Sequence, residues 1–290
     1  MSVNVYQIIT DRIIEQLKNG RIPWRKPWIS INNRAVSHST GKPYSILNQM
    51  LLNKPGEYLT FNQVKQAGGH VRKGEKSSFV VFWRIYQKEE VVDGKSCTTT
   101  IPLLKYINVL HIDQCEGVKP RLKQPEFRDD FNPVAEAERI AAEYSGRTGV
   151  KIINAGQNEA CYSHSNDEIH LPLKEQFKAD AEYYSTLFHE MAHSTGAKNR
   201  HDRFPQAHVK FGDTNYSKEE LVAEIAAAAM MNTLGIETDE TTTNTDAYLL
   251  GWLNALQNDP KMIVSAASKA EKAVNFIMNT EDTKQEEPAA

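Results

Sequence analysis

The chain has 290 residues, 34 Lys and Arg against 37 Asp and Glu, 40% hydrophobic and 24% charged side chains, proportions that exclude wholesale disorder. No apolar run approaches the ~20 residues that span a bilayer, and the first residues lack a secretory layout, so a cytosolic chain without membrane attachment is expected. The net charge of −3 conceals an asymmetry, because residues 1–115 hold 16 basic and 8 acidic side chains and the remainder 18 and 29. Two halves of opposite sign imply different partners.

In chain order, Val5 to Lys18 places Ile8, Ile9, Ile13, Ile14 and Leu17 on one helical face, and Asn19-Gly20 supplies a stop. A loop rich in Trp and Pro follows, then a short helix at Ser45 to Leu52. Strands are expected at Ser78 to Tyr86 and Leu103 to His111, where Val, Ile, Phe and Tyr concentrate. Prolines and charges between 116 and 133 break any period and mark a linker. Beyond it the pattern predicts a helix at Pro133 to Gly146, strands at Val150 to Asn154 and Glu168 to Leu171, and a long helix at Ala179 to Gly196. Helices near Lys218 to Leu234, Thr245 to Gln257 and Lys261 to Asn279 complete it. The expected fold is α+β: a basic α+β domain at 1–115, a linker at 116–133, a mainly helical domain with a small sheet at 134–278, and a flexible tail at 279–290. Cys97, Cys115 and Cys161 are odd in number and far apart, as free thiols are.

The segment Phe188-His-Glu-Met-Ala-His193 carries the strongest chemical signal. Residues four apart share a helix face, so His189 and His193 can offer two imidazole nitrogens to one ion, with Glu190 beside it to take a proton from a water that the ion acidifies. This is a metallopeptidase arrangement, and Gly196 permits the sharp exit that brings the chain back to the metal. Zinc is the expected cofactor, with manganese or cobalt as alternatives. A third ligand should come from Ser217-Lys-Glu-Glu-Leu-Val-Ala-Glu224, where Glu220 and Glu224 lie four apart. This layout resembles the ligand helix of gluzincin-type peptidases, in which the first acid binds zinc and the second steadies a ligand histidine. The resemblance implies Glu220 as ligand and Glu224 behind it, with the reverse assignment open. Glu219 suits a surface acid. Tyr216 is a candidate for steadying an oxyanion or for packing. His164 and His170 lack partner spacing and suit strand or loop positions, in a segment, 160–172, that could be an edge strand for an extended peptide.

In the basic half, Arg21, Trp24, Arg25, Lys26 and Trp28 alternate cations with indoles. Arg and Lys answer phosphates while exposed rings stack on unpaired bases. Lys42, Tyr44, Arg72, Lys73 and Lys76 extend the set, with Asn33, Asn48 and Trp83 as further candidates. Single-stranded DNA is the expected partner.

Thr10-Asp-Arg-Ile-Ile-Glu-Gln-Leu17, Ile22-Pro-Trp-Arg-Lys-Pro-Trp28, Thr40-Gly-Lys-Pro-Tyr44, Leu59-Thr-Phe-Asn-Gln63, Val71-Arg-Lys-Gly-Glu-Lys76, His189-Glu-Met-Ala-His-Ser-Thr-Gly196 and Glu219-Glu-Leu-Val-Ala-Glu-Ile225 together resemble the ArdC antirestriction family. The resemblance implies an amino-terminal domain that binds single-stranded DNA, a zincin-like metallopeptidase domain, and carriage on conjugative plasmids, where such proteins protect incoming DNA from host restriction. A host restriction or defence protein is then the expected substrate. The alternative is a non-catalytic coat for single strands whose metal is structural. Ser194 stands where the family pattern leads one to expect an aromatic residue, a change that leaves the ligands intact and is expected to alter the pocket wall.

Overall fold

The computed structural model describes residues 4–25, 34–52, 54–92, 95–121, 132–204, 214–236 and 246–280. They form two compact units, one from the described residues of 1–9 and 34–124, the other from those of 10–33 and 125–283. The fold is α+β, in agreement with the sequence reading. No helix among the described residues is long and apolar enough to cross a membrane.

Helix α1 (Val5–Lys18) buries Ile9, Ile13, Ile14 and Leu17, the stripe that its period required. It stops where Gly20 takes a φ of 72°, which lets Gly20 N donate to Leu17 O and Arg21 N to Gln16 O, both at 2.9 Å.

In the first unit, β1 (Ala35–Ser37) and β2 (Gly56–Leu59) run parallel, joined by a crossover through α2 (Ile46–Leu51). The third helix, α3 (Phe61–Gln66), is opened by a capping box between Thr60 and Gln63, and β3 (His70–Val71) follows. Two long strands, β4 (Ser78–Val92) and β5 (Lys95–His111), pair antiparallel along their whole length, and β5 pairs with β2, giving the order β1-β2-β5-β4. The strands expected from apolar runs are only the inner parts of this ribbon. Its outer parts carry Lys88-Glu89-Glu90 and Thr98-Thr-Thr100, polar runs that backbone pairing joins. Asn48 is buried, donating from its amide to Val81 O at 2.9 Å and accepting from Val81 N at 2.8 Å, so it closes the outer edge of β4 as a strand would. It is a structural residue rather than a contact for DNA. A short β6 (Cys115–Glu116) pairs with β3, and Arg121 N donates to buried Glu57 at 2.8 Å. The first part of the expected linker is thus bound to this unit.

The second unit takes in the described residues of 10–33 besides α4 (Pro133–Thr148), β7 (Lys151–Ala155), β8 (Cys161–Ser163), β9 (Glu168–Pro172), α5 (Asp180–Ser194), α6 (Thr214–Leu234), α7 (Asp246–Asn258) and α8 (Met262–Met278). Asn132 caps α4 by accepting from Val134 N and Ala135 N, with Pro133 at the first helical position, where its missing N–H costs nothing. The sheet order is β7-β9-β8, with β7 parallel and β8 antiparallel to β9, so β8 is an edge. Helix α6 packs on both α5 and α8. Buried Ala223, Ala226 and Ala227 on α6 and Ala266, Ala267, Ala270 and Ala273 on α8 are small enough for close approach.

Candidate metal centre

Asp180 and Glu182 occupy the first turn of α5, where negative charge suits the helix dipole, and the apolar side chains of Tyr184, Leu187, Phe188 and Met191 seat the helix in the core. This orientation leaves His189 and His193 facing α6. Their Nε2 atoms lie 3.0 Å apart, and each is 3.4 Å from a different oxygen of Glu220. A tetrahedral ion with bonds of ~2.1 Å holds its ligand atoms roughly 3.4 Å apart. The triangle therefore fits one divalent ion, and among the described residues it is the one group of three or more His, Cys, Asp or Glu side chains so arranged. Buried Glu190, 7% exposed, follows His189 directly.

The electrostatics favour a cation at this point. Burial disfavours the charged forms of His193 and Glu220, yet hydrogen bonding and attraction among the acids and histidines override it. His193 is pushed up to about 9 and Glu220 is held well below the usual carboxylate range. Binding of an ion would displace protons from the same nitrogens.

Several expectations need correction. Glu219 is not a surface acid: its side chain is 15% exposed, it accepts from Arg203 Nε at 3.1 Å and Nη2 at 2.7 Å, and it lies 3.6 Å from His193 Nδ1. The acid facing the far nitrogen of a candidate ligand histidine is thus Glu219, while Glu224 sits half-buried one turn beyond Glu220. Ser194 is no pocket wall. Its hydroxyl is buried, donating to Met191 O at 2.7 Å and meeting Tyr144 OH at 2.6 Å. Gly196 does not take a left-handed φ, and a Cβ there would come within 2.7 Å of Phe204, so close packing explains the glycine.

His164 lies against Phe204, ring centres 4.0 Å apart, and burial followed by the charge of His193 holds its pKa below the ordinary value. His170 Nε2 faces Glu168 at 3.5 Å. Neither joins the ligand triangle. Tyr216 falls within α6, and its side chain lies outside the described residues.

The expected strand-binding residues separate. Trp24 is 3% exposed and packs edge to face on Trp252, centres 6.0 Å apart, so its ring is a core plug of the second unit and not a stacking platform. Arg21 is exposed; the side chain of Arg25, and Lys26, Trp28 and Asn33 entirely, lie outside the described residues. Lys42, Arg72, Lys73 and Lys76 are exposed in the first unit. Tyr44 is half-buried against Tyr58, and burial pushes its phenol up to about 12. Trp83, a further candidate from the sequence, is 44% exposed on the β4–β5 ribbon, which also exposes Ile85 (67%), Tyr86, Leu103 and Tyr106 among Arg84 and Lys105, side chains that composition did not single out. The Arg84 guanidinium lies 5.4 Å from the Tyr86 ring centre.

Residues 3–110 match the family model of the N-terminal domain of anti-restriction factor ArdC, and residues 136–269 match that of a zincin-like metallopeptidase. The crystal structure of the antirestriction ArdC protein from plasmid R388 in its metal-free form aligns with a TM-score of 0.74 and 32% identity, covering 96% of this chain and 100% of that one. Its Mn(II)-bound form gives 0.74 and 31%, covering 98% and 100%. A DNA primase TraC of Escherichia coli is 33% identical over 97% of this chain, which spans 20% of that relative's length.

Proposed function

The chain belongs to the ArdC family of antirestriction proteins, and on that premise we propose that it is a zinc-dependent peptidase that engages single-stranded DNA and protects an incoming plasmid from restriction in the recipient's cytosol. The observation that carries the catalytic half is the triangle of His189, His193 and Glu220 with buried Glu190 beside it. His189, His193 and Glu220 would hold a divalent ion, which when bound would polarise a carbonyl and make water more acidic. Glu190 takes the proton as water oxygen attacks the peptide carbon, then passes it to the departing nitrogen as the C–N bond breaks. Tyr216 is the sequence candidate to steady the oxyanion. Edge strand β8, packed against α5, pairs on one side only among the described residues, and its outer margin can take an extended peptide. The substrate is a host restriction or defence protein met on the entering strand.

The DNA half is supported by the aromatic and cationic side chains of the β4–β5 ribbon, where rings can stack on bases while Arg84 and Lys105 answer phosphates. A kinship with proteins named as DNA primases suits a module that works on DNA.

A Glu190→Gln variant tests the reading. It should bind zinc as the unaltered chain does and lose protection of incoming DNA in cells. Retained protection would assign the function to strand coating, with a structural metal. In parallel, Trp83→Ala with Tyr86→Ala should weaken single-strand affinity at fixed salt by roughly 1–3 kcal/mol per lost stacking contact, and unaltered binding would remove the ribbon from the interface.

A further inference from the structure

The two ring nitrogens of His193 face two consecutive acids of α6. Nε2 lies 3.4 Å from Glu220, and Nδ1 lies 3.6 Å from Glu219. Successive residues on a helix point about 100° apart, so one turn of α6 can grip both edges of the imidazole only if the second acid is turned away from the ligand triangle and held there. Arg203 does this holding. It clasps both oxygens of Glu219, while Nη1 donates to Thr195 Oγ1 at 2.7 Å and Nη2 to Ala192 O at 2.8 Å. The arginine is almost fully enclosed, its side chain 4% exposed. A charge in that setting persists only when its donors are satisfied, and here they bind one carboxylate and the end of the very helix that bears His193.

The geometry points to Arg203 and Glu219 as a positioning pair for the metal centre: the Glu219 carboxylate, 3.6 Å from His193 Nδ1, favours a proton on that nitrogen and so leaves Nε2 to the ion, and Arg203 fixes Glu219 in the direction that makes this possible. The inference rests on the metal reading above and assigns neither residue to the ion itself. Such supporting partners set ring orientation and ligand basicity, and losing one weakens metal binding by roughly 10- to 100-fold. A second arginine of the same loop offers an internal control. Arg200 joins α5 to the β8–β9 hairpin, donating to Ser194 O at 2.7 Å and to Asp167 Oδ2 at 3.0 Å, without touching Glu219.

The test is competition of Zn²⁺ between a chelator and the full chain, with folding followed by circular dichroism. Glu219→Gln, isosteric but uncharged, should weaken Zn²⁺ binding roughly 10- to 100-fold; Arg203→Gln should weaken it similarly, and the double variant no further than Glu219→Gln alone. Arg200→Gln should change affinity far less. In the Zn²⁺-loaded unaltered chain, ¹⁵N-labelled histidine should show His193 protonated at Nδ1 and ligating through Nε2, a readout that stands even if a variant fails to fold. Zn²⁺ affinity unchanged in folded Glu219→Gln, an equal loss in Arg200→Gln, or an unprotonated Nδ1 would each overturn the pairing while leaving the metal centre intact. Failure of the unaltered chain to take up Zn²⁺ would instead remove the metal reading and this inference together.

Discussion

An indole buried on its faces cannot stack on a base, and Trp24 is such an indole. Replacing it with Ala should cost about 3–5 kcal/mol of stability by opening a cavity beside Trp252, while single-strand affinity, measured below the melting temperature, stays unchanged. A loss of affinity in folded protein would restore the loop reading. Pro, Trp and Arg in alternation have the same composition in a binding loop and in a core plug, so the sequence could not separate the two. The proposed metal ligands differ. His189 and His193 are legible from helical spacing alone, and Glu220 from its resemblance to a known ligand helix. Glu219 was illegible because its partner Arg203 lies 16 residues away, beyond any local period.

At the scale of elements, His111 links the end of β5 to the entry of β2. Its Nε2 meets Pro55 O at 2.8 Å and its Nδ1 accepts from Asp113 N at 3.1 Å, so the ring is neutral with its proton on Nε2. A Cβ on Gly56, which has a φ of 112°, would come within 2.5 Å of that nitrogen. Burial outweighs the Pro55 carbonyl and nearby acids and lowers the imidazole below its ordinary 6.5. The unfolded chain therefore takes up the proton first as pH falls. The stabilisation is complete above pH ~6.5 and is lost as pH falls through the lower folded value. Urea midpoints at pH 7.5 and 5.0 should show this drop, and it should shrink in His111→Gln; an equal drop in the variant would place the effect elsewhere. The long helices were legible because a buried stripe repeats every 3.6 residues. Strands β1 and β2, of three and four residues, are too short to show a period; β5 pairs with β2, and Gln49 of α2 holds both backbone groups of Ala35 in β1 through its side-chain amide.

For the whole molecule, an ion that binds only the folded chain stabilises it by mass action, about 4 kcal/mol at a free concentration 1,000 times its Kd. Added Zn²⁺ or Mn²⁺ should raise the melting temperature of the unaltered chain and leave that of Glu220→Ala nearly unmoved. Equal shifts in both would mean that the ion binds elsewhere. The charge asymmetry and the set of motifs made the family legible from sequence alone. The grouping of residues 10–25 with the carboxy-terminal unit was not, because it depends on buried contacts such as Thr10 with Pro260, 250 residues apart.

Asn48 has a further consequence. A sheet edge rich in Val and Phe invites pairing with a second chain, and such edges nucleate aggregation. By spending both halves of its amide on Val81, Asn48 leaves that stretch of β4 no free valence for a foreign strand. The ribbon can thus present aromatic side chains from its faces while the outer edge of β4 at Val81 is shut against self-association.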